Sequence, residues 1–318
     1  MASPHGPGIL LVDKPGGMTS HDVVSRARKA LGTRKIGHAG TLDPLATGLL
    51  LLGVDSATRL LTYLVGLDKT YEATIRLGAA TDSDDSDGEI VSRADPRVLA
   101  AVDAAAIQAP IAALTGRISQ VPSTVSAIKI GGRRAYDLAR AGEEVVLASR
   151  EVTVSRFEVL DIRRTDDGTG TGSVDVDVVV DCSSGTYIRA LARDLGSALG
   201  VGGHLTALRR TRVGPFGIAD AVGPDAIATE PLLSSADVAV RVLGGIRVTD
   251  AEASALRHGQ RLTGAAGRIV GEHAAAIDPA GELIGVVGRR GDDLKSLMNL
   301  PTGAARDVPA VVDDGGDR

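Results

Sequence analysis

The run Leu49-Leu50-Leu51-Leu52-Gly53-Val54 carries no polar side chain and follows directly on a glycine-rich segment. A stretch this short and uniformly apolar suits a strand buried on both faces, which commits the chain to a sheet with material packed on each side. The apolar runs all fall far below the roughly 18 residues that a membrane span needs. At 318 residues the chain exceeds what one core usually holds, so one large and one small unit are expected. Tryptophan is absent and there are only two Phe and four Tyr, so aliphatic residues must build the core. Hydrophobic residues at 43% and charged residues at 24% sit close to the globular average, which excludes wholesale disorder and fibrous architectures. The segment Met1–Gly8 has neither a charged n-region nor an apolar h-region. The single Cys182 has no partner for an internal disulfide, and the six histidines are scattered without zinc-ligand spacing. The expected location is the cytoplasm, with no membrane span and no metal.

The net charge of −5 is unevenly distributed. Asp82, Asp84, Asp85, Asp87 and Glu89 form one acidic knot, and further aspartates crowd the end. Basic residues cluster at Arg26–Lys35, at Lys129, Arg133, Arg134 and Arg140, and at Arg209, Arg210 and Arg212. Such clusters either converge into a phosphate-binding face or remain ordinary solvated surfaces; charge alone leaves both open. A calcium reading of the acidic knot fails on spacing. With Gly88 at the sixth loop position the twelfth is Ala94, so the closing Glu is missing. A solvated turn is the expectation there.

Periodicity predicts a short strand at Ile9–Val12, then a helix capped by Thr19 or Ser20 and closed by Gly32. Lys69–Leu77 alternates as a strand, with Tyr71, Ala73, Ile75 and Leu77 on one side. Asp95-Pro96 opens an alanine-rich helical stretch to about Leu114, interrupted at Pro110, and Arg134–Ala141 reads as a short helix. Two long strands, Glu151–Arg163 and Ser173–Cys182, are joined by Gly168–Gly172; no helix follows those glycines, which rules out a phosphate loop. An amphipathic helix follows Thr186. After connecting helix and loop over about 221–242, a short helix Asp250–His258 and strands Arg268–Val270, His273–Ile277 and Leu283–Val287 have the profile of a small β-barrel.

The segment Gly37-His38-Ala39-Gly40-Thr41-Leu42-Asp43-Pro44-Leu45-Ala46-Thr47-Gly48 holds one carboxylate among apolar residues and glycines. Pro44 biases Asp43 toward an extended conformation, and a carboxylate so placed is either a turn cap or a held reactive group. Spacing alone does not choose. The segment does, however, resemble the signature of TruB-type tRNA pseudouridine synthases. Further blocks are similar to that family in order: Asp13-Lys14-Pro15-Gly16-Gly17-Met18-Thr19-Ser20, Lys69-Thr70-Tyr71-Glu72-Ala73, Gln120-Val121-Pro122-Ser123 with Ser126–Lys129, Ser184-Gly185-Thr186-Tyr187-Ile188-Arg189, and His204–Arg210. The resemblance spans about residues 9–217.

What the resemblance implies is an α+β fold: a mixed β-sheet catalytic domain over 1–242 with a helical insertion at about 95–145. A small PUA-like RNA-binding barrel over 243–302 and a disordered tail over 303–318 would follow. It implies isomerisation of uridine 55 in the T loop of tRNA, with no cofactor, guide RNA or obligate protein partner. By resemblance Asp43 is the nucleophile, Arg189 orients and charges it in a dry pocket, and Tyr71 stacks on the flipped base near its C5 proton. His38, Tyr187 and Leu208 would hold the nucleotide and its surroundings, while Lys129, Arg133, Arg209 and Arg210 would meet the RNA backbone. One departure is Val125, where many relatives carry Tyr. Two other classes remain: a non-catalytic RNA-binding module, and a glycosidase-like hydrolase, which would need a second carboxylate.

Overall fold

The computed structural model describes residues 6–123, 129–130, 133–134, 147–165 and 172–301. Chain contacts divide it into two units, the first ending at Leu233 and the second starting at Ser234. In the first unit, β1 (Gly8–Lys14) leads to α1 (Ser20–Ala30), whose start is fixed by a capping box between Thr19 and Asp22. There follow β2 (Ile36–Ala39), β3 (Thr47–Val54), α2 (Leu61–Val65), β4 (Lys69–Leu77) and a hairpin of β5 (Ala79–Thr81) with β6 (Ile90–Arg93). Next come α3 (Pro96–Ala100), α4 (Ala104–Ala113), β7 (Gly116–Gln120) and a small hairpin of β8 (Lys129–Ile130) with β9 (Arg133–Arg134). The unit continues through β10 (Arg150–Thr165), β11 (Ser173–Cys182), α5 (Ile188–Ala198) and β12 (Gly203–Val213).

The main sheet runs β1-β3-β12-β4-β11-β10-β7, with β2 on β3. The β3–β12 pair is parallel and the other pairs along this path are antiparallel, so the sheet is mixed and the architecture is α+β as expected. Leu49, Leu50, Leu51 and Leu52 are all fully buried. At about 1.5–3 kcal/mol each, that strand anchors the fold. Leu50, Leu52 and Val54 pack with Val23, Val24 and Ala27 of α1. A second core sets Ile75, Val176 and Leu205 of the central strands against Leu191 and Leu195 of α5 and Ile107 of α4. On β11 the valines 174, 176, 178 and 180 face this core, while Asp175, Asp177 and Asp181 on the opposite face pair with Arg76, Arg163 and Arg156.

The second unit is a curled five-stranded half-barrel: Gly245–Arg247, His273–Ile277, Leu283–Arg290, Asp293–Asn299 and Arg261–Leu262 in that spatial order. Its core joins Val248, Leu256, Ala276, Ile284 and Leu294.

Several expectations are corrected. The helical stretch is broken at Ala101–Asp103, where Asp103 caps a new helix, and α4 runs through Pro110 at the loss of one backbone hydrogen bond. Arg268–Val270 is no strand: a 3-10 turn, Ala266–Arg268, occupies its start. The helix Ser235–Leu243 contacts the strand His273–Ile277 and groups with the second unit, so the observed division falls before the expected 242/243. Residues 135–141, 168–171, 303–318 and Val125 lie outside the described residues. Among the described residues no helix is long and apolar enough to cross a membrane.

Candidate active site

Asp43 sits on the loop between β2 and β3, and two buried side chains and one backbone amide hold that loop. Ser20 Oγ accepts from the Leu42 amide at 2.9 Å and donates to the Leu42 carbonyl at 3.0 Å. Lys14 Nζ, fully buried, donates to the carbonyls of Met18 at 2.6 Å, Pro15 at 3.0 Å and Pro44 at 3.4 Å. Burial lowers the Lys14 pKa to about 8, with nearby Asp43 partly opposing the shift. The Gly17 amide also donates to Pro44. The opening motif and the Asp43 motif are thus one structural piece.

Arg189, in the first turn of α5, meets Asp43 with Nη2–Oδ2 at 3.0 Å. Its Nη1 donates to Asp85 Oδ2 and to the Ser83 carbonyl, both at 3.1 Å. The Arg189 side chain is 7% exposed, that of Asp85 6% and that of Asp43 42%. Arg189 is therefore clamped from behind and presents the front carboxylate to an open space. The expectation of a dry surrounding is corrected: Asp43 faces a cavity open to solvent, and it becomes dry only when something fills that cavity.

The solvated reading of the acidic knot is also corrected, because Ser83, Asp84 and Asp85 are buried. Asp84 Oδ2 accepts from Ser123 Oγ at 2.6 Å and Arg193 Nη1 at 3.1 Å, and its carbonyl accepts from the Leu205 amide. Burial raises the Asp84 pKa. Asp85 and Asp84 are functional neighbours that sequence reasoning missed. The available signal was Arg189 and Arg193, four apart on one helix face and able to meet adjacent carboxylates.

The cavity measures about 410 Å3, and Asp43, Tyr71, Tyr187, Arg189 and Leu208 all line it. Tyr71 on β4 is buried, which raises its hydroxyl pKa, and it stands opposite Arg210 of β12 in the ladder. Leu208 stands opposite Ala73 on the same strands. Tyr187 occupies the N-cap of α5, where Gln120 accepts from its amide at 2.8 Å and donates to its carbonyl at 3.0 Å. Gln120, almost fully buried, is a second support; it stands in one of the matched blocks, but the sequence assigned it no role.

His38 is absent from the cavity wall. It lies on β2 with its ring edge-on to His21 at 5.9 Å, and burial lowers its pKa. Arg209 is committed to both oxygens of Asp13 at 3.0 and 2.7 Å. Arg210 is corrected from an RNA-backbone contact to an interior residue: 1% exposed, it donates to the carbonyls of Leu49 at 2.7 Å and Gly40 at 3.0 Å and lines the cavity. Lys129 and Arg133 lie in the small β8–β9 hairpin.

Residues 28–188 match the TruB family pseudouridylate synthase (N terminal domain). A protein of Leifsonia xyli subsp. xyli named tRNA pseudouridine synthase B is 55% identical over 301 residues, covering 93% of this chain and 97% of that protein. The chain belongs to the TruB family of pseudouridylate synthases. A TruB relative of the same name in Nocardia farcinica is 62% identical over 257 residues, 80% of this chain and 81% of that protein. Residues 189–238 and 245–301 match two TruB C-terminal domains. Among solved structures, a chain of a Cbf5-Nop10-Gar1 complex aligns with a TM-score of 0.63 at 26% identity, over 88% of this TruB-family chain and 78% of that one. The fold neighbours thus agree with a pseudouridine synthase architecture.

Proposed function

We propose that this enzyme isomerises uridine 55 in the T loop of tRNA to pseudouridine, acting on the RNA alone without guide RNA, cofactor or obligate protein partner. The observation that carries the reading is the Asp43–Arg189 pair, 3.0 Å apart, at the wall of a cavity shared with Tyr71 and Leu208. A cavity of about 410 Å3 falls in the range of sites that enclose small organic groups, about 300–1,000 Å3. The target base must leave its stack to enter, and the Tyr71 ring offers it a new stacking surface.

In the reaction the N1–C1′ bond breaks, the uracil turns, and C5 bonds to C1′; the C5 proton departs and N1 gains one, so no atoms are gained or lost. Asp43 acts as nucleophile or as the anion that stabilises positive charge developing at the sugar. Arg189, fixed by Asp85, aims that carboxylate. The bound nucleotide would exclude water and strengthen every electrostatic contact around Asp43. The second unit, taken as a PUA-like module, would add RNA contacts, and the cytoplasm, where tRNA matures, is the proposed location. Incubating the purified chain with an unmodified tRNA transcript and mapping pseudouridine tests the reading. Modification confined to position 55 is expected. Release of free uracil, or an unchanged transcript, would overturn it.

A further inference from the structure

The wall of the Asp43 cavity carries four cationic side chains, Lys69, Arg150, Arg189 and Arg210, against one carboxylate. In a chain of net charge −5 this is a local reversal of sign, and it favours an anion. Three of the four are already engaged inside the protein. Lys69 Nζ donates to the carbonyls of Val65 and Leu67, at 3.0 and 2.5 Å. Arg189 serves the two aspartates, and Arg210 is held by backbone carbonyls of Leu49 and Gly40.

Arg150 differs. It opens β10, its side chain is exposed, and among the described residues it has no hydrogen-bond or ion-pair partner. Its backbone is nevertheless fixed, because Arg150 pairs with Gln120 at the end of the β7–β10 ladder, and Gln120 holds both backbone groups of Tyr187. The Arg150 charge acts on the Tyr187 hydroxyl with a sign opposite to that of Asp43. The molecule thus keeps a solvated guanidinium at the wall of the cavity, anchored by its backbone, with its donors available.

We propose that Arg150 is a substrate-positioning residue whose guanidinium takes a phosphodiester flanking the target uridine, holding the RNA backbone at the cavity while the base enters. The inference rests on the reading that this cavity receives a nucleotide of RNA. Such a nucleotide brings a phosphate on each side, and a planar guanidinium matches phosphate oxygens with two parallel donors. An exposed arginine keeps its hydration until the RNA arrives, so holding Arg150 ready costs the free enzyme no desolvation of that charge. The phosphate has the same charge before and during the reaction, so the contact should strengthen binding equally in both states and leave turnover unchanged.

The test compares wild type, Arg150→Gln and Arg150→Lys on three T stem-loop RNAs. One has ordinary linkages; the others carry a single neutral methylphosphonate 5′ or 3′ of the target uridine. Steady-state kinetics and the affinity of each RNA by fluorescence anisotropy are measured over a range of salt. On ordinary RNA, Arg150→Gln should raise KM and Kd about tenfold or more, the scale of a lost charge-assisted contact, with kcat within about twofold. The slope of log Kd against log salt should fall by about 0.7. Arg150→Lys should recover part of the affinity as a point charge. One methylphosphonate position should weaken wild type about as much as Arg150→Gln does and have no further effect on that variant; whichever linkage behaves so is the one contacted. The proposal is overturned if Arg150→Gln lowers kcat at unchanged KM, or if neither neutral linkage is silent in the variant. Absence of pseudouridine with every protein would count against the functional reading, and the anisotropy arm would still decide the phosphate contact.

Discussion

An arginine gripped from behind cannot swing, and that is what Asp85 does for Arg189. Replacing Asp85 by Asn keeps the shape and removes the charge, which frees the guanidinium to move relative to Asp43. Misplacement of about 1 Å costs on the order of 100-fold, so Asp85→Asn should lose roughly that factor in kcat while binding a T stem-loop with little change. Unchanged kcat would contradict the clamp. The buried lysines give a second prediction. Burial lowers the pKa of Lys69 to about 8, against 10.5 for the ordinary side chain. Between those values the unfolded chain holds more protons, so this lysine makes stability rise with pH from about 8 to 10.5 and contributes no slope below. Denaturant midpoints of wild type and Lys69→Met from pH 7 to 10 should therefore diverge in favour of wild type, and a constant difference would argue against it. At this scale the motifs led to Asp43, Tyr71, Tyr187, Arg189 and Leu208, which the cavity brings together. Asp84 and Asp85 were passed over because a run of carboxylates without apolar spacing reads as exposed, and the spacing of Arg189 and Arg193 on α5, which lets them be buried, does not by itself say which carboxylates they meet.

Among the elements, β3 and β12 bring the two halves of the site together. Their parallel contact is made at Gly48, whose φ of +100° suits glycine and whose added Cβ would stand 2.3 Å from the Arg210 carbonyl oxygen. Gly48→Ala would force the two strands apart beneath the cavity. It should destabilise the protein by about 3 kcal/mol or more in chemical denaturation; a loss below about 1 kcal/mol would show that the strands yield without strain. The strands β3, β4, β10 and β11 were legible from alternation or continuous apolarity, and α5 from its helical stripe. The break at Ala101–Asp103 and the turn at Ala266–Arg268 were not, because each depends on local capping or on tertiary contacts that outweigh residue propensity. Sheet order was not legible either, since the central position of β12 follows from pairing across long sequence separations.

Taken as a whole, the molecule is acidic yet gathers four cations at one cavity. An acidic protein that meets RNA through a local cationic site should be sensitive to ionic strength: kcat/KM for a tRNA transcript should fall several-fold between 50 and 200 mM salt. Insensitivity would mean that phosphate contacts contribute little. In the proposed reaction the carboxylate of Asp43 is indispensable, while the remaining residues of the site bind and orient the nucleotide. Asp43→Asn preserves size and removes the anion, and the carboxylate is open enough to the cavity for the change to leave the core intact. The most direct measurement is pseudouridine formation by Asp43→Asn on a T stem-loop RNA, with binding of the same RNA measured alongside. Retained binding with no detectable pseudouridine is expected; product at a rate near that of the wild type would rule out this role for Asp43.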